Sequence, residues 1–117
     1  MNDVDFQAAG QITQSRAEKA TEWIVHNAMD IGEAKAMRDR SENMLRVVKS
    51  LVMKASDERS AAAQEREAYA SDQYRQALDD LFEATKRHET LVSTRKAAES
   101  VIDVWRSLNS NLKGARV

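Results

Sequence analysis

Several residue types that shape most folds are scarce or missing in this 117-residue chain. It has no cysteine, no proline, three glycines and only 5% aromatic residues. Without cysteine, disulfide bonds, thiolate metal sites and thiol nucleophiles are excluded, which fits a reducing compartment. No glycine or proline interrupts the chain between Ser71 and Gly114, so a long helix can form there. With few aromatic side chains a core will be thin, so we expect self-association to help stabilise it.

Long apolar runs are also missing. No stretch approaches the roughly 20 apolar residues that a membrane-spanning helix needs. The first residues include Asp3 and Asp5 and lack the hydrophobic region of a signal peptide. We therefore expect a soluble, cytoplasmic protein that does not contact a membrane.

The residue patterns of common catalytic and metal sites are absent too. The two histidines, His26 and His88, belong to neither a His-Glu-x-x-His nor a Glu-x-x-His motif. The three glycines are far apart, so there is no glycine-rich phosphate loop. Asp79 and Asp80 are adjacent, and adjacent side chains on a helix point in different directions. The sequence thus predicts no enzyme activity, no catalytic residues, no cofactor and no metal.

The composition that remains is typical of helical bundles, with 32% charged residues and frequent alanine. After Ser71, a good N-cap, apolar residues recur at spacings of three and four as far as Leu112. A helix of roughly 40 residues is about 60 Å long, too long for a compact globule of this size. We therefore predict a single all-α domain over residues 1–117. It is an elongated helical hairpin or three-helix bundle with a long C-terminal helix and coiled-coil-like packing.

The C-terminal helix is predicted to present one seam to a partner helix. Two polar residues lie on this apolar line, His88 and Arg95. They could form a buried polar pair that faces a partner or ligand, but the favoured interpretation is that they set the register of the seam or extend to water. The predicted seam consists of Leu81, His88, Leu91, Arg95, Ile102, Trp105 and Leu112.

Local signals set the other boundaries. Residues 1–10 are expected to be a flexible arm, followed by a helix over about 12–29. Asp30 can cap a new helix and Glu33 stands where a capping-box acid belongs, so a second helix is predicted over 31–70. We favour a nearly continuous second helix; the alternative is a break near Ser56, which would cap a short separate helix. A third helix is predicted over 72–112.

Three methionines, Met37, Met44 and Met53, lie in the predicted second helix. Methionine is unbranched and flexible, so it suits both adaptable binding surfaces and irregular gaps in a core. Gap filling in a thin core is the favoured interpretation here.

Charge alternates along the chain although the net charge is only −1. Residues 35–54 hold six bases and two acids, and residues 90–117 hold five bases and two acids. If the hairpin turns near residue 70, residues 35–54 lie alongside about 86–105 and the two basic segments share one end. That end either contacts nucleic acid or, as the pI of about 6.1 favours, is neutralised by the acidic first helix. The candidate nucleic-acid contacts are Arg38, Arg46, Lys49, Arg95, Lys96, Arg106, Lys113 and Arg116.

The last fifty residues carry a series of short motifs. It comprises Ala68-Tyr69-Ala70-Ser71, Tyr74, Leu78, Arg95-Lys96-Ala97-Ala98-Glu99, Trp105-Arg106-Ser107, Asn109 and Asn111. This pattern resembles small helical proteins encoded by phages and prophages, a group without characterised function. The resemblance implies a phage origin, an accessory role in recombination, replication or host takeover, and a location in the cytoplasm of a bacterial host. It assigns no site residues.

Three functions are compatible with these observations. The leading hypothesis is a non-enzymatic interaction or scaffold protein that forms a homo-oligomer and binds a protein partner through helix-on-helix contacts. The second is a nucleic-acid-binding accessory factor in phage recombination or replication. The third is an inhibitor of a host protein, in which the acidic side chains of Asp57, Glu58, Glu65 and Glu67 imitate phosphate.

Overall fold

The computed structural model describes residue 6 and residues 10–115. These residues form three α-helices and no β-strand: α1 spans Gln14–Ala55, α2 spans Ala61–Ala70 and α3 spans Asp72–Ala115. The predicted all-α fold with a long C-terminal helix is therefore confirmed. The predicted flexible arm falls mostly outside the described residues.

The predicted turn at Asp30 is wrong, because α1 passes through it as one helix of 42 residues. Ile31 and Ala34, on either side of Gly32, are both buried. A glycine inside a helix costs only about 0.5–1 kcal/mol relative to alanine, whereas burying an isoleucine contributes about 1.5–3 kcal/mol. Burial of Ile31 therefore more than offsets the cost of Gly32 inside the helix, and α1 continues past the predicted cap at Asp30.

The predicted nearly continuous helix to residue 70 is also wrong, because α1 ends at Ala55 and residues 56–60 are not helical. The alternative, a break near Ser56, is correct in position, but Ser60 is the residue that caps α2. Its hydroxyl oxygen accepts the backbone N–H of Ala63 at 3.1 Å. Ser56 instead accepts the backbone N–H of Glu58 at 3.1 Å, which holds the turn after α1.

Ser71 connects α2 to α3 through a single hydroxyl group. The hydroxyl donates to the carbonyl of Ala68 at 2.6 Å and accepts the backbone N–H of Tyr74 at 3.2 Å. It therefore satisfies one free group at the end of α2 and another at the start of α3. The prediction that Ser71 caps the third helix is confirmed.

The chain divides into two compact units, here called the first unit (Met1–Ile31 and Glu89–Val117) and the second unit (Gly32–His88). The core of the first unit gathers buried side chains from the start of α1, from α3 and from Phe6. The ring of Phe6 meets that of Trp23 edge-on, with 6.2 Å between the centroids. Nothing in the apolar pattern indicates that Phe6 is buried.

Arg16 holds the segment before α1 in place. Its guanidinium donates to the carbonyl of Phe6 at 2.7 and 3.2 Å, to that of Gly10 at 2.9 Å and to that of Gln11 at 2.8 Å. Gly10 has a φ of +122°, a conformation that a residue with a Cβ rarely adopts. The positive φ of Gly10 and the hydrogen bonds from Arg16 together fix the chain where it enters α1.

In the second unit, α1 and α3 contact each other along positions spaced alternately by three and four residues. Side chains at these positions are buried or partly buried, whereas most neighbours are exposed. Such spacing lets two helices pack side by side over several turns. The positions are Ala34, Arg38, Ser41, Leu45, Val48 and Val52 in α1, and Tyr74, Ala77, Leu81, Ala84 and His88 in α3.

Replacing Gly32 by alanine should raise the free energy of unfolding by about 0.5–1 kcal/mol, because alanine favours the helix and no atom lies within 4 Å of the added Cβ. Urea denaturation followed by circular dichroism measures the change. Gly114→Ala is the control, and its effect should be smaller because helix ends fray. A loss of stability in Gly32→Ala would show that the helix is interrupted at this position.

Replacing Trp23 by alanine should lower the free energy of unfolding by about 3–5 kcal/mol, because the side chain is only 6% exposed and its removal leaves a cavity beside Phe6. The same denaturation measurement applies. Trp105→Ala, at a partly exposed position of the same unit, should cost less. Equal losses in the two variants would contradict this assignment of the core.

Candidate functional site

The second unit carries an open groove between α1 and α3, here called the methionine groove, with a volume of about 1020 Å³. Its α1 wall is mostly apolar and its α3 wall is mostly polar. The lining residues are Met37, Arg40, Ser41, Met44 and Val48 from α1, and Asp72, Gln73, Gln76, Ala77, Asp80, Glu83, Ala84 and Arg87 from α3.

Large apolar side chains are exposed along the flank of α1 that forms this groove and the depression next to it. Met37 is 51% exposed, Met44 40% and Leu51 61%. These three residues are seven apart, so they lie along one flank of α1. Leu51 lines a depression of about 570 Å³ that shares Val48 and Gln73 with the methionine groove. The exposed apolar strip therefore runs from one cavity into the next.

The first unit has a smaller groove, here called the tryptophan groove, with a volume of about 540 Å³. Trp105 and Ile102 of α3 line it, with Glu18 and Glu22 of α1. Arg106 lines the same groove and forms an ion pair of 4.0 Å with Asp103. The indole of Trp105 is thus partly exposed among charged side chains.

The residues of the predicted partner-helix seam are distributed over both units. His88 is buried and Leu112 is 59% exposed, while the other five are partly buried: Leu81, Leu91, Arg95, Ile102 and Trp105. Leu112 therefore stands apart from the buried line that the spacing predicts. The contact of this seam with a separate partner remains a prediction.

His88 is one of the two polar residues predicted to lie on that seam. Its Nδ1 lies 3.1 Å from Nη1 of Arg38, across the contact between α1 and α3 in the second unit. Since a guanidinium can only donate, the imidazole nitrogen accepts in this pair. A polar contact at this position fixes which residues of the two helices face each other, which supports the interpretation that His88 sets the register. Arg95 forms an ion pair with Glu99 at 3.8 Å.

The predicted alignment of the two basic segments is wrong. Residues 37–48 of α1 lie beside residues 72–88 of α3, as the Arg38–His88 contact and the methionine groove show. The shift arises because α1 ends at Ala55, whereas the prediction placed the chain reversal near residue 70. The basic part of α1 therefore lies beside a segment of α3, residues 72–88, that holds four acids and three bases.

Several of the candidate nucleic-acid contacts have acidic neighbours. Arg38 forms an ion pair with Asp39 at 3.2 Å, and Lys49 forms one with Glu65 at 2.7 Å. Together with the pairs of Arg95 and Arg106, these contacts offset much of the local positive charge. Arg46, Lys96 and Lys113 also lie within the described residues, and Arg116 lies outside them. Binding of nucleic acid by these residues stays a prediction.

Lys49 also anchors α2 to α1. Its Nζ lies 2.7 Å from Oε1 of Glu65 and 4.8 Å from the ring centre of Tyr69, whose hydroxyl donates to the same carboxylate at 3.2 Å. The hydrogen bond from Lys49 is the main cause that lowers the pKa of the Glu65 carboxyl, and the bond from Tyr69 adds to it. The same hydrogen bond raises the pKa of Lys49. The ring of Tyr69 meets that of Tyr74 edge-on at 5.1 Å, which adds a contact to α3.

The sequence shows the methionines of this groove but does not show that they are exposed. Gap filling was the favoured interpretation for the methionines, and it fails for Met37 and Met44, which are at least 40% exposed. The regular seven-residue spacing of Met37, Met44 and Leu51 could have revealed the strip. Its exposure could not be inferred, because it depends on which segment covers that flank of α1.

Replacing Glu65 by glutamine should lower stability at neutral pH, because the lowered pKa means that the folded state favours the charged carboxylate. This contribution is present above the ordinary pKa of 4.5 and is lost as the pH falls through the lower folded-state value. The difference in melting temperature between wild type and Glu65→Gln should therefore disappear in acid. Glu58→Gln, at an exposed position, is the control and should show no such difference. A gap that stays constant down to pH 3 would contradict this role for Glu65.

Among residues 10–115 and Phe6, no group of three or more histidine or acidic side chains is arranged to hold a metal ion. No helix in the same part of the chain combines the length and hydropathy needed to cross a bilayer. A comparison with protein-family models found no match to the chain. Comparisons with curated proteins and with solved structures found none either.

Proposed function

We propose that this chain is a non-enzymatic interaction or scaffold protein that binds a helix of a protein partner in the methionine groove. The observation that carries the proposal is the exposed strip of Met37, Met44 and Leu51 beside a cavity of about 1020 Å³. Exposed apolar strips of this kind mark interaction sites, and an amphipathic helix fits a groove between two helices.

Methionine suits such a surface better than other apolar residues. Its thioether side chain is flexible and polarisable, so it can adapt to partner side chains of different shape. Met37 and Met44 are both partly accessible already, so a partner could reach them without opening the contact between α1 and α3. Ala77 and Ala84 on the opposite wall have small side chains, so they do not project into the groove.

Helix binding has more support than nucleic-acid binding. Arg38, Lys49, Arg95 and Arg106 all contact acidic side chains, which reduces the positive charge available for phosphate. The methionine groove, in contrast, is lined by three carboxylates and two arginines, so it offers no excess of positive charge to a nucleic-acid backbone.

The setting of this function belongs to the same proposal. The resemblance of the last fifty residues supports a phage accessory role in the cytoplasm of a bacterial host, and the absence of cysteine suits that compartment. Self-association through helix contacts is included, and sedimentation velocity of the purified chain tests it.

A photo-cross-linking amino acid at position 44 tests the proposed docking site in cells. Replacing Met44 by p-benzoylphenylalanine should give covalent adducts with a partner protein, because the side chain at this position points into the groove. Met29 is the matched control: it is a methionine of the same helix, 77% exposed, and it is not among the residues that line the groove. Adducts from position 44 and none from position 29 are expected. No adduct at position 44, or equal yields at both positions, would contradict the proposal.

A further inference from the structure

The charges around the methionine groove are divided unequally between its walls. The α3 wall carries three carboxylates, those of Asp72, Asp80 and Glu83, while the α1 wall carries a single charge, that of Arg40. Arg87 adds one positive charge at the end of the α3 wall. The groove thus has an apolar side formed by α1 and a largely acidic side formed by α3.

The acidic side chains of this wall are available to a partner. Asp72, Asp80 and Glu83 are exposed, and no described residue forms an ion pair with any of them within 4.0 Å. The one hydrogen bond recorded on these carboxylates comes from the amide of Gln76, which donates to Asp80 at 2.9 Å. A cation that approaches this wall therefore does not have to displace an existing ion pair.

We infer that the methionine groove binds a basic amphipathic helix, with the helix's apolar face against Met37 and Met44 and its Lys or Arg flank toward the acidic α3 wall. This inference rests on the proposed function and adds the chemistry of the partner. An apolar stripe at spacings of three and four residues matches the strip on α1. Positive charges on one flank match the carboxylates of α3, which provides both selectivity and electrostatic attraction.

A second copy of this chain is a poorer occupant. The exposed apolar residues near the end of α3 are Val104, Leu108 and Leu112, which repeat every four residues along the helix. The bases of that region, Arg106 and Lys113, lie about 140° or more around the helix from Val104 and Leu108, and about 100–120° from Leu112, as a period of 3.6 residues dictates. Over most of its length the apolar stripe therefore faces away from the positive charges of this helix.

Two designed helical peptides of about 20 residues test the inference directly. Both carry leucine at heptad core positions, and the other positions are lysine in one peptide and glutamate in the other. Fluorescence anisotropy of the labelled peptides with the full chain should show micromolar binding of the lysine peptide and no binding of the glutamate peptide. Added salt should weaken the binding, because the carboxylates of the α3 wall are exposed and salt screens their charge.

Groove variants locate the site. Met44→Glu should raise the Kd of the lysine peptide at least about tenfold, whereas Met29→Glu should leave it unchanged. The double variant Asp80→Lys/Glu83→Lys should weaken the lysine peptide and create binding of the glutamate peptide. Asp57→Lys/Glu58→Lys makes the same change in net charge at exposed positions outside the groove and should do neither. Circular dichroism checks that each variant remains helical.

Three results would overturn the inference. One is equal binding of both peptides. Another is an equal effect of the two double variants, which would show attraction to the net charge alone. The third is a failure of both peptides to bind while Met44→Glu abolishes a self-associated form, which would assign the groove to a second copy. The cross-link at position 44 separates the two proposals. An adduct with a protein partner would keep the proposed function even where a lysine peptide that fails to bind excludes the basic helix.

Discussion

The alanine-rich helices α1 and α3 bury little apolar surface against each other. Much of this structure follows from that small buried area. Ala17, Ala20 and Ala98 are buried in the first unit, and Ala34 and Ala77 in the second. A methyl group contributes only a fraction of what a buried leucine does. In each unit a further segment therefore packs on the two helices. Phe6 packs against Trp23 in the first unit, and α2 contacts Lys49 in the second. Because α2 lines no part of the methionine groove, the strip of methionines beside that groove stays exposed.

Charge is arranged by the same alignment of helices. In the second unit the basic part of α1 lies beside the α3 wall that carries Asp72, Asp80 and Glu83, and in the first unit Glu18 and Glu22 line a groove with Arg106. Opposite charges along neighbouring helices favour this pairing over one that brings like charges together. The acidic wall of the methionine groove is therefore a consequence of how the helices align.

The apolar residues of α3 keep spacings of three and four over a long stretch, which is sufficient to predict an all-α fold. The serine just before this stretch, Ser71, was correctly predicted to cap the helix. The ends of the helices were harder to predict, because local capping signals compete with packing between residues far apart in sequence. Asp30 and Glu33 form a convincing capping signal, yet burial of Ile31 and Ala34 keeps α1 continuous. Because α1 ends at Ala55, the two long helices are aligned differently from the prediction. The charged residues of the second unit therefore have different neighbours. The exposure of Met37 and Met44 could not be predicted, since it depends on where α2 attaches.

The short helix α2 depends on its neighbours for stability. Ten residues are too few to form a stable isolated helix in water. Its contacts reach both long helices, through Lys49 of α1 and Tyr74 of α3, and only Ala68 within it is buried. Little buried surface therefore holds α2 in place. We expect its backbone amides to exchange with solvent hydrogen by local opening, while those along the contact between α1 and α3 exchange only when the second unit unfolds.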